Sequence, residues 1–236
     1  MGKRSGSLTE AQDTEAAVSA FLDKVAATPA VKPAGRRGRL IFALDATASR
    51  EPTWDRACQI QGEMFTETAA LGGLEIQMAF YRGFGEFRAT PWLTDSAALV
   101  RHMTAVYCLG GRTQIENVLR HTARETTKKK VDAVVFVGDC IEEDVDRVCQ
   151  RAGKLGVLGV PAFLFQEGAE PNAMCAFRQI AKLTNGAYSH FDASSARQLR
   201  DLLRAVAVYA AGGRRALADL GKRAGGDVLQ IAHQIR

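Results

Sequence analysis

Two apolar runs without polar alternation, Leu40-Ile41-Phe42-Ala43-Leu44 and Ala133-Val134-Val135-Phe136-Val137, constrain this chain more than any other feature. A strand with one solvated face alternates apolar and polar residues, whereas a continuous run marks a strand covered on both faces. Such strands belong to parallel sheets, whose crossover connections place helices above and below. The surrounding segments read the same way. Leu74, Ile76, Met78 and Phe80 alternate with Glu75, Gln77 and Ala79 as a half-exposed strand. Gly83 and Gly85 then turn the chain into a short edge strand over 86–88, and further strands are expected at 161–165 and 188–191. Helices are expected at 54–71, 95–107, 114–126, 143–155, 172–183 and 196–209. The fold class that follows is α/β: a doubly wound, mostly parallel central sheet with helices on both faces and one short antiparallel edge strand.

Both ends of the chain differ from this pattern. Ser7 and Glu10 form a capping box, and Val18, Phe21, Leu22 and Val25 follow at helical spacing. Pro29, Pro33 and Gly35 then read as a linker. Past Gly212-Gly213 the chain turns basic and helical. The expected organisation is an N-terminal amphipathic helix and linker at 1–38, a main domain at 39–211 and a basic C-terminal helical extension at 212–236.

The 236 residues contain no apolar run near the ~18–20 needed to span a bilayer. The N-terminus lacks the apolar core of a secretory signal, so no membrane role and a cytoplasmic location are expected. Net charge is +5, gathered at Arg36-Arg37-Gly38-Arg39, Lys128-Lys129-Lys130 and Arg214-Arg215. No aromatic residue interleaves these clusters, which favours a solvated surface over nucleic-acid binding. The five cysteines are widely spaced with no C-x-x-C pair, and most read as small buried hydrophobes. Cys140 differs, because it follows a candidate metal ligand in a loop.

The first buried strand runs directly into Asp45-Ala46-Thr47-Ala48-Ser49. A carboxylate and two hydroxyls at i, i+2 and i+4 form a hard oxygen donor set, suited to Mg²⁺ or Mn²⁺ rather than to zinc or copper. Alternatively, the same residues only cap the following helix. The second buried strand leads into Gly138-Asp139, and between the two Gly110-Gly111-Arg112-Thr113 opens a helix with a third hydroxyl. In open α/β sheets ligands collect outside the carboxyl ends of strands, where strand order reverses, and these loops are of that kind.

These three motifs resemble those of von Willebrand factor A-type (VWA) domains with a metal-ion-dependent adhesion site, over roughly residues 39–210. The family's first motif is Asp-x-Ser-x-Ser, matched by Asp45-Ala46-Thr47-Ala48-Ser49 with Thr47 keeping the hydroxyl. The second is a Thr after glycines, matched by Thr113, and the third an Asp closing a strand, matched by Asp139. The resemblance implies that Thr47, Ser49 and Thr113 contact a metal while Asp45 and Asp139 act directly or through water. Two positions depart from the family pattern: Ala48 and Cys140 stand where glycine is usual.

What the resemblance implies is a cytosolic Mg²⁺-dependent adaptor, of the intracellular bacterial type, whose metal binds an Asp or Glu carboxylate of a protein partner. Proteins of this type often work beside MoxR-type ATPases or chaperone-like assemblies. Arg50 and Arg112 flank the ligands and are expected to face the acidic partner. Phe84, Phe87 and Trp92 are expected to cover the sheet edge. No catalytic residues are assigned, so the chain is expected not to be an enzyme. One alternative is a metal-dependent phosphohydrolase with Asp45 as nucleophile, although Thr47 stands where that chemistry wants a second acid. The other is nucleic-acid binding through the basic segments.

Overall fold

A computed structural model describes residues 37–52, 54, 74–191, 206, 208 and 210. The helices expected at 1–38 and 212–236, and most of those at 54–71 and 196–209, lie outside the described residues. Strands are β1 (Gly38–Asp45), β2 (Leu74–Arg82), β3 (Glu86–Ala89), β4 (Ala133–Gly138), β5 (Ala162–Glu167) and β6 (Ala187–Phe191). Helices between them are α1 (Ser96–Thr104), α2 (Ile115–Lys128), α3 (Val145–Val157) and α4 (Pro171–Leu183). The order across the sheet is β3-β2-β1-β4-β5-β6. All neighbouring pairs are parallel except β2 with β3. The doubly wound sheet with one short antiparallel edge strand is therefore the observed fold.

Alternation along β1 explains why its run is apolar throughout. Leu40, Phe42 and Leu44 face one core with Met78, Val135, Leu99, Met103, Trp54, Val206 and Val208. Ile41 and Ala43 face the other with Phe136 of β4 and with Val118, Leu119, Leu155 and Phe177 of the helical layer α2–α4. Both cores are apolar, so neither face of the strand has a place for a polar residue.

Helix ends follow local chemistry. Asp95 accepts from the amides of Ala97 and Ala98 at 3.0 Å each and starts α1. Asp144 caps α3 through Asp146 and Arg147, and Glu170 caps α4 ahead of Pro171. The helix expected to reach residue 107 stops at Thr104. Beyond it Val106 is buried, its carbonyl accepts from Trp54 Nε1 at 2.9 Å, and the chain runs extended so that Leu109 bridges Thr47.

The consequence for function lies in the strand order. From β1 the chain moves outward to β2 and β3, then returns across β1 to begin β4 on its other side. The carboxyl ends of β1 and β4 are thus the point where strand order reverses. With Leu44 paired to Val137, Asp45 and Asp139 emerge side by side there.

Candidate metal centre

Three loops meet at this reversal. Asp45 is fully buried, and Thr47 N donates to its Oδ1 at 2.8 Å while Tyr81 OH donates to its Oδ2 at 2.9 Å. Thr47 is buried, Ser49 is exposed, and their hydroxyls lie 3.1 Å apart. The short 3-10 turn Ala48–Arg50 that follows has no side-chain cap from Thr47, so capping does not occupy that hydroxyl. Asp139 is half-buried, and its Oδ1 is buried without a hydrogen-bond partner among the described residues. A carboxylate oxygen of Asp45, one of Asp139 and the Cys140 thiol lie within 4.8 Å of one another.

The third loop is pinned from several sides. Leu109 N donates to Ala46 O at 3.0 Å and Arg112 N to Gly83 O at 3.1 Å. A side chain at Gly111 would stand 2.0 Å from Gly83 O, so this close crossing of loops requires glycine. Thr113 follows, buried, with Glu142 N donating to its hydroxyl at 2.9 Å. Glu142 in turn accepts from Thr113 N at 3.1 Å, and Glu143 accepts from Ile115 N at 2.5 Å and Glu116 N at 2.8 Å. Gly138 sets the last constraint: an added Cβ would meet the Phe136 ring at 2.7 Å and Asp45 Cβ at 3.4 Å.

Electrostatically the site is rich in negative charge. Burial pushes the Asp45 carboxyl above its ordinary value, donation from Thr47 and Tyr81 opposes this, and Asp139 adds to it. Burial also drives Tyr81 well upward, reinforced by Asp45, so its phenol stays a proton donor. The Cys140 thiol is raised as well, first by burial and then by Asp139 and Asp45. A divalent cation fits the Asp45–Asp139 pair: their carboxylate oxygens lie within 4.8 Å of one another, and a buried Asp139 oxygen has no hydrogen-bond partner among the described residues.

Several expectations change. Arg50 is not on the rim: it is buried at 1% exposure and ion-paired with Glu167 at the end of β5. Its charge faces Asp45 and Asp139 from inside, while Arg112 is exposed. The helix expected from residue 143 begins at Val145, capped by Asp144, while Glu142 and Glu143 close on the start of α2. Of the described cysteines only Cys149 is buried. Phe87 packs on His121 and Trp92 on Arg39, covering the sheet as expected, but Phe84 is 86% exposed. Tyr107 and Leu109, which the sequence reading passed over, are also exposed. Tyr81 was missed too, because the expected strand stopped at residue 80; alternation carried one position further puts Tyr81 opposite Asp45.

No family model matches the sequence, and neither does any curated protein. Solved structures do match. A von Willebrand factor type A protein from Catenulispora acidiphila is 16% identical with TM-score 0.55, over 71% of this chain and 42% of that one. The SpRpn10 VWA domain is 11% identical with TM-score 0.58, over 71% of this chain and 94% of that one. The chain has the von Willebrand factor A fold. A third VWA-fold neighbour is proximal thread matrix protein 1 from the mussel byssus with a zinc-occupied MIDAS motif. It is 13% identical with TM-score 0.52, over 72% of this chain and 46% of that one. The present chain thus spans less than half the length of the Catenulispora and mussel chains but nearly all of the SpRpn10 domain.

Proposed function

We propose that this VWA domain is a protein-interaction module whose binding depends on a divalent cation, Mg²⁺ or Mn²⁺, held by Asp45, Thr47, Ser49, Thr113 and Asp139. The observation that carries the reading is the approach of an Asp45 and an Asp139 oxygen to within 4.8 Å at the strand-order reversal, one buried Asp139 oxygen having no hydrogen-bond partner among the described residues. When bound, the ion supplies an electrophilic position for one anionic oxygen, because neutral hydroxyls offset little of its charge. The partner accordingly brings an Asp or Glu carboxylate. Exposed Phe84, Tyr107 and Leu109 border the same loops and add apolar contact, with Arg112 as the cationic rim residue.

A nucleophilic role for Asp45 is disfavoured by its surroundings: both its oxygens accept hydrogen bonds and the residue is fully buried. The chain is therefore read as a binder and not an enzyme. Nucleic-acid binding is disfavoured as well, since Lys128 and Lys129 are ion-paired to Glu125 and Glu75, and Lys130 donates to Leu158 O and Gly159 O. Among the described residues no helix is long and apolar enough to cross a membrane. The interaction domain runs from 39 to 211 in the cytoplasm, with 1–38 and 212–236 as flanking docking segments. A MoxR-type ATPase or chaperone-like assembly is the expected source of the carboxylate on resemblance alone.

Pull-down from native lysate with and without EDTA tests this reading, using wild type, Asp45→Ala and Thr113→Ala with circular dichroism as a folding control. Partner capture lost in EDTA and in both folded variants is expected. Full capture under all three conditions would place the interface elsewhere.

A further inference from the structure

We infer that Cys140 gives the metal site a second class of ligand, so that it takes a borderline-soft ion such as Zn²⁺ or Co²⁺ through sulfur as well as a hard ion through oxygen alone. The inference rests on the metal-site reading above and extends it to a choice between ions. Its geometric basis is the triad of Cys140 Sγ with one carboxylate oxygen each from Asp45 and Asp139, mutually within 4.8 Å. Ligands bound to one ion at ~2.0–2.3 Å stand ~3–4.5 Å apart, so a small closure brings all three into contact with it.

One further observation points at a ligand between these groups. Asp139 Oδ1 is buried with no hydrogen-bond partner among the described residues, directly before Cys140 in the chain. The loop carrying both is fastened just beyond them, where Glu142 exchanges two hydrogen bonds with Thr113. The thiol is therefore held beside the carboxylates by a short tether and is only half exposed. Two carboxylates and a sulfur form a three-ligand set with an open position, which suits zinc. Sulfur selects softer ions, whereas Mg²⁺ takes oxygen. With Mg²⁺ the thiol keeps its proton and stays a bystander. With Zn²⁺ or Co²⁺ the S–H proton leaves to solvent, a sulfur–metal bond forms, and no oxidation state changes.

The test is titration of the EDTA-stripped full chain with Co²⁺ by absorption, alongside Zn²⁺ and Mg²⁺ calorimetry, on wild type, Cys140→Ser, Cys108→Ser and Asp45→Ala. A near-ultraviolet thiolate-to-cobalt charge-transfer band is expected in wild type and Cys108→Ser, and neither in Cys140→Ser nor in Asp45→Ala. Zn²⁺ affinity should fall in Cys140→Ser by at least the ~10–100-fold that loss of an outer-shell partner costs, with Mg²⁺ affinity unchanged. Co²⁺ binding without that band, or a band that survives in folded Cys140→Ser, would overturn the role of Cys140 and leave the oxygen site standing. Absence of any divalent binding in wild type would overturn both. If Cys140→Ser fails to fold, Cys140→Ala is the variant from which the band must be absent.

Discussion

β1 carries a buried charge at each end, and the chain treats the two in opposite ways. At the start, Arg39 is 4% exposed and meets Glu75 at 3.1 Å and Glu125 at 3.9 Å, with its guanidinium 3.7 Å from the centre of the Trp92 ring. Trp92 Nε1 in turn donates to Glu125 at 2.8 Å, and Arg39 N donates to Asp132 at 2.8 Å. Cation and anions balance within the chain. At the far end, Asp45 accepts from neutral donors, Asp139 is its near neighbour, and buried Arg50 is shared among Asp45, Asp139 and its ion-pair partner Glu167. One end is a finished ion-pair network. The other gathers negative charge without an equal positive partner, which is the condition under which a cation from solution binds.

The largest expected effect breaks the finished end. Arg39→Met keeps the apolar stem over Trp92 but leaves Glu75 with Lys129 alone and Glu125 with Lys128 and Trp92, and should cost about 3 kcal/mol in urea unfolding, the low end for a broken buried pair. A midpoint equal to wild type would mean that packing alone holds this end, and the contrast would disappear.

Next in size is the response to metal. At a cation concentration about 100-fold above its Kd, unfolding free energy should rise by about 2.7 kcal/mol. The gain should be absent from Asp45→Ala, and a folded Arg39→Met should retain it. If Asp45→Ala is stabilised equally, the ion binds somewhere other than the open end of β1.

The fold was legible because burial on both faces leaves a direct mark: Leu40–Leu44 could not be anything but apolar between two helical layers. The approach of Asp45 to Asp139 was legible for a related reason, since carboxylate residues at strand ends stand out against such runs. What escaped was long-range pairing. Nothing local in the sequence says that Glu142 and Glu143 close on α2 instead of leading α3, or that Arg50 turns inward to Glu167. Tyr81 escaped because its apolar ring continues the strand pattern while its hydroxyl serves Asp45. Cys140 was visible only as a departure from the family pattern; its distance to two carboxylates is a property of the fold.

A smaller effect sharpens the open end itself. Asp139→Asn removes one of two neighbouring negative charges, and its Oδ1 has no described hydrogen bond to lose. Asp139 also attracts Arg50 and accepts from the Cys140 thiol, so the metal-free protein should shift by no more than about 1 kcal/mol, while the metal-induced gain disappears. A clear loss of stability without metal would show that Asp139 is held by contacts of structural weight, making the two ends of β1 alike.

The smallest effect separates the finished end by pH. His121, on α2, bonds Gln77 of β2 at 2.8 Å and packs on Phe87, with Glu125, Arg124 and Lys128 as its charged neighbours. Burial lowers its pKa below the ordinary 6.5, against the pull of Glu125. The unfolded chain thus takes up a proton before the folded one, so this contribution is present above pH 6.5 and is lost as pH falls below it. Glu75 and Glu125 act in a lower window. Burial opposes it, yet Lys129 and Arg39 hold Glu75, and Lys128 and Trp92 hold Glu125, below the ordinary 4.5. Their contribution is present above pH 4.5 and is lost as pH falls through the folded-state values. Urea midpoints at about pH 7.5, 5.5 and 3.5 should therefore drop in two steps. His121→Gln, which keeps a polar partner for Gln77, should remove the upper step and leave the lower one. A single step below 4.5 in the wild type would mean that His121 is protonated as easily folded as unfolded, and that the closed network does not extend to His121.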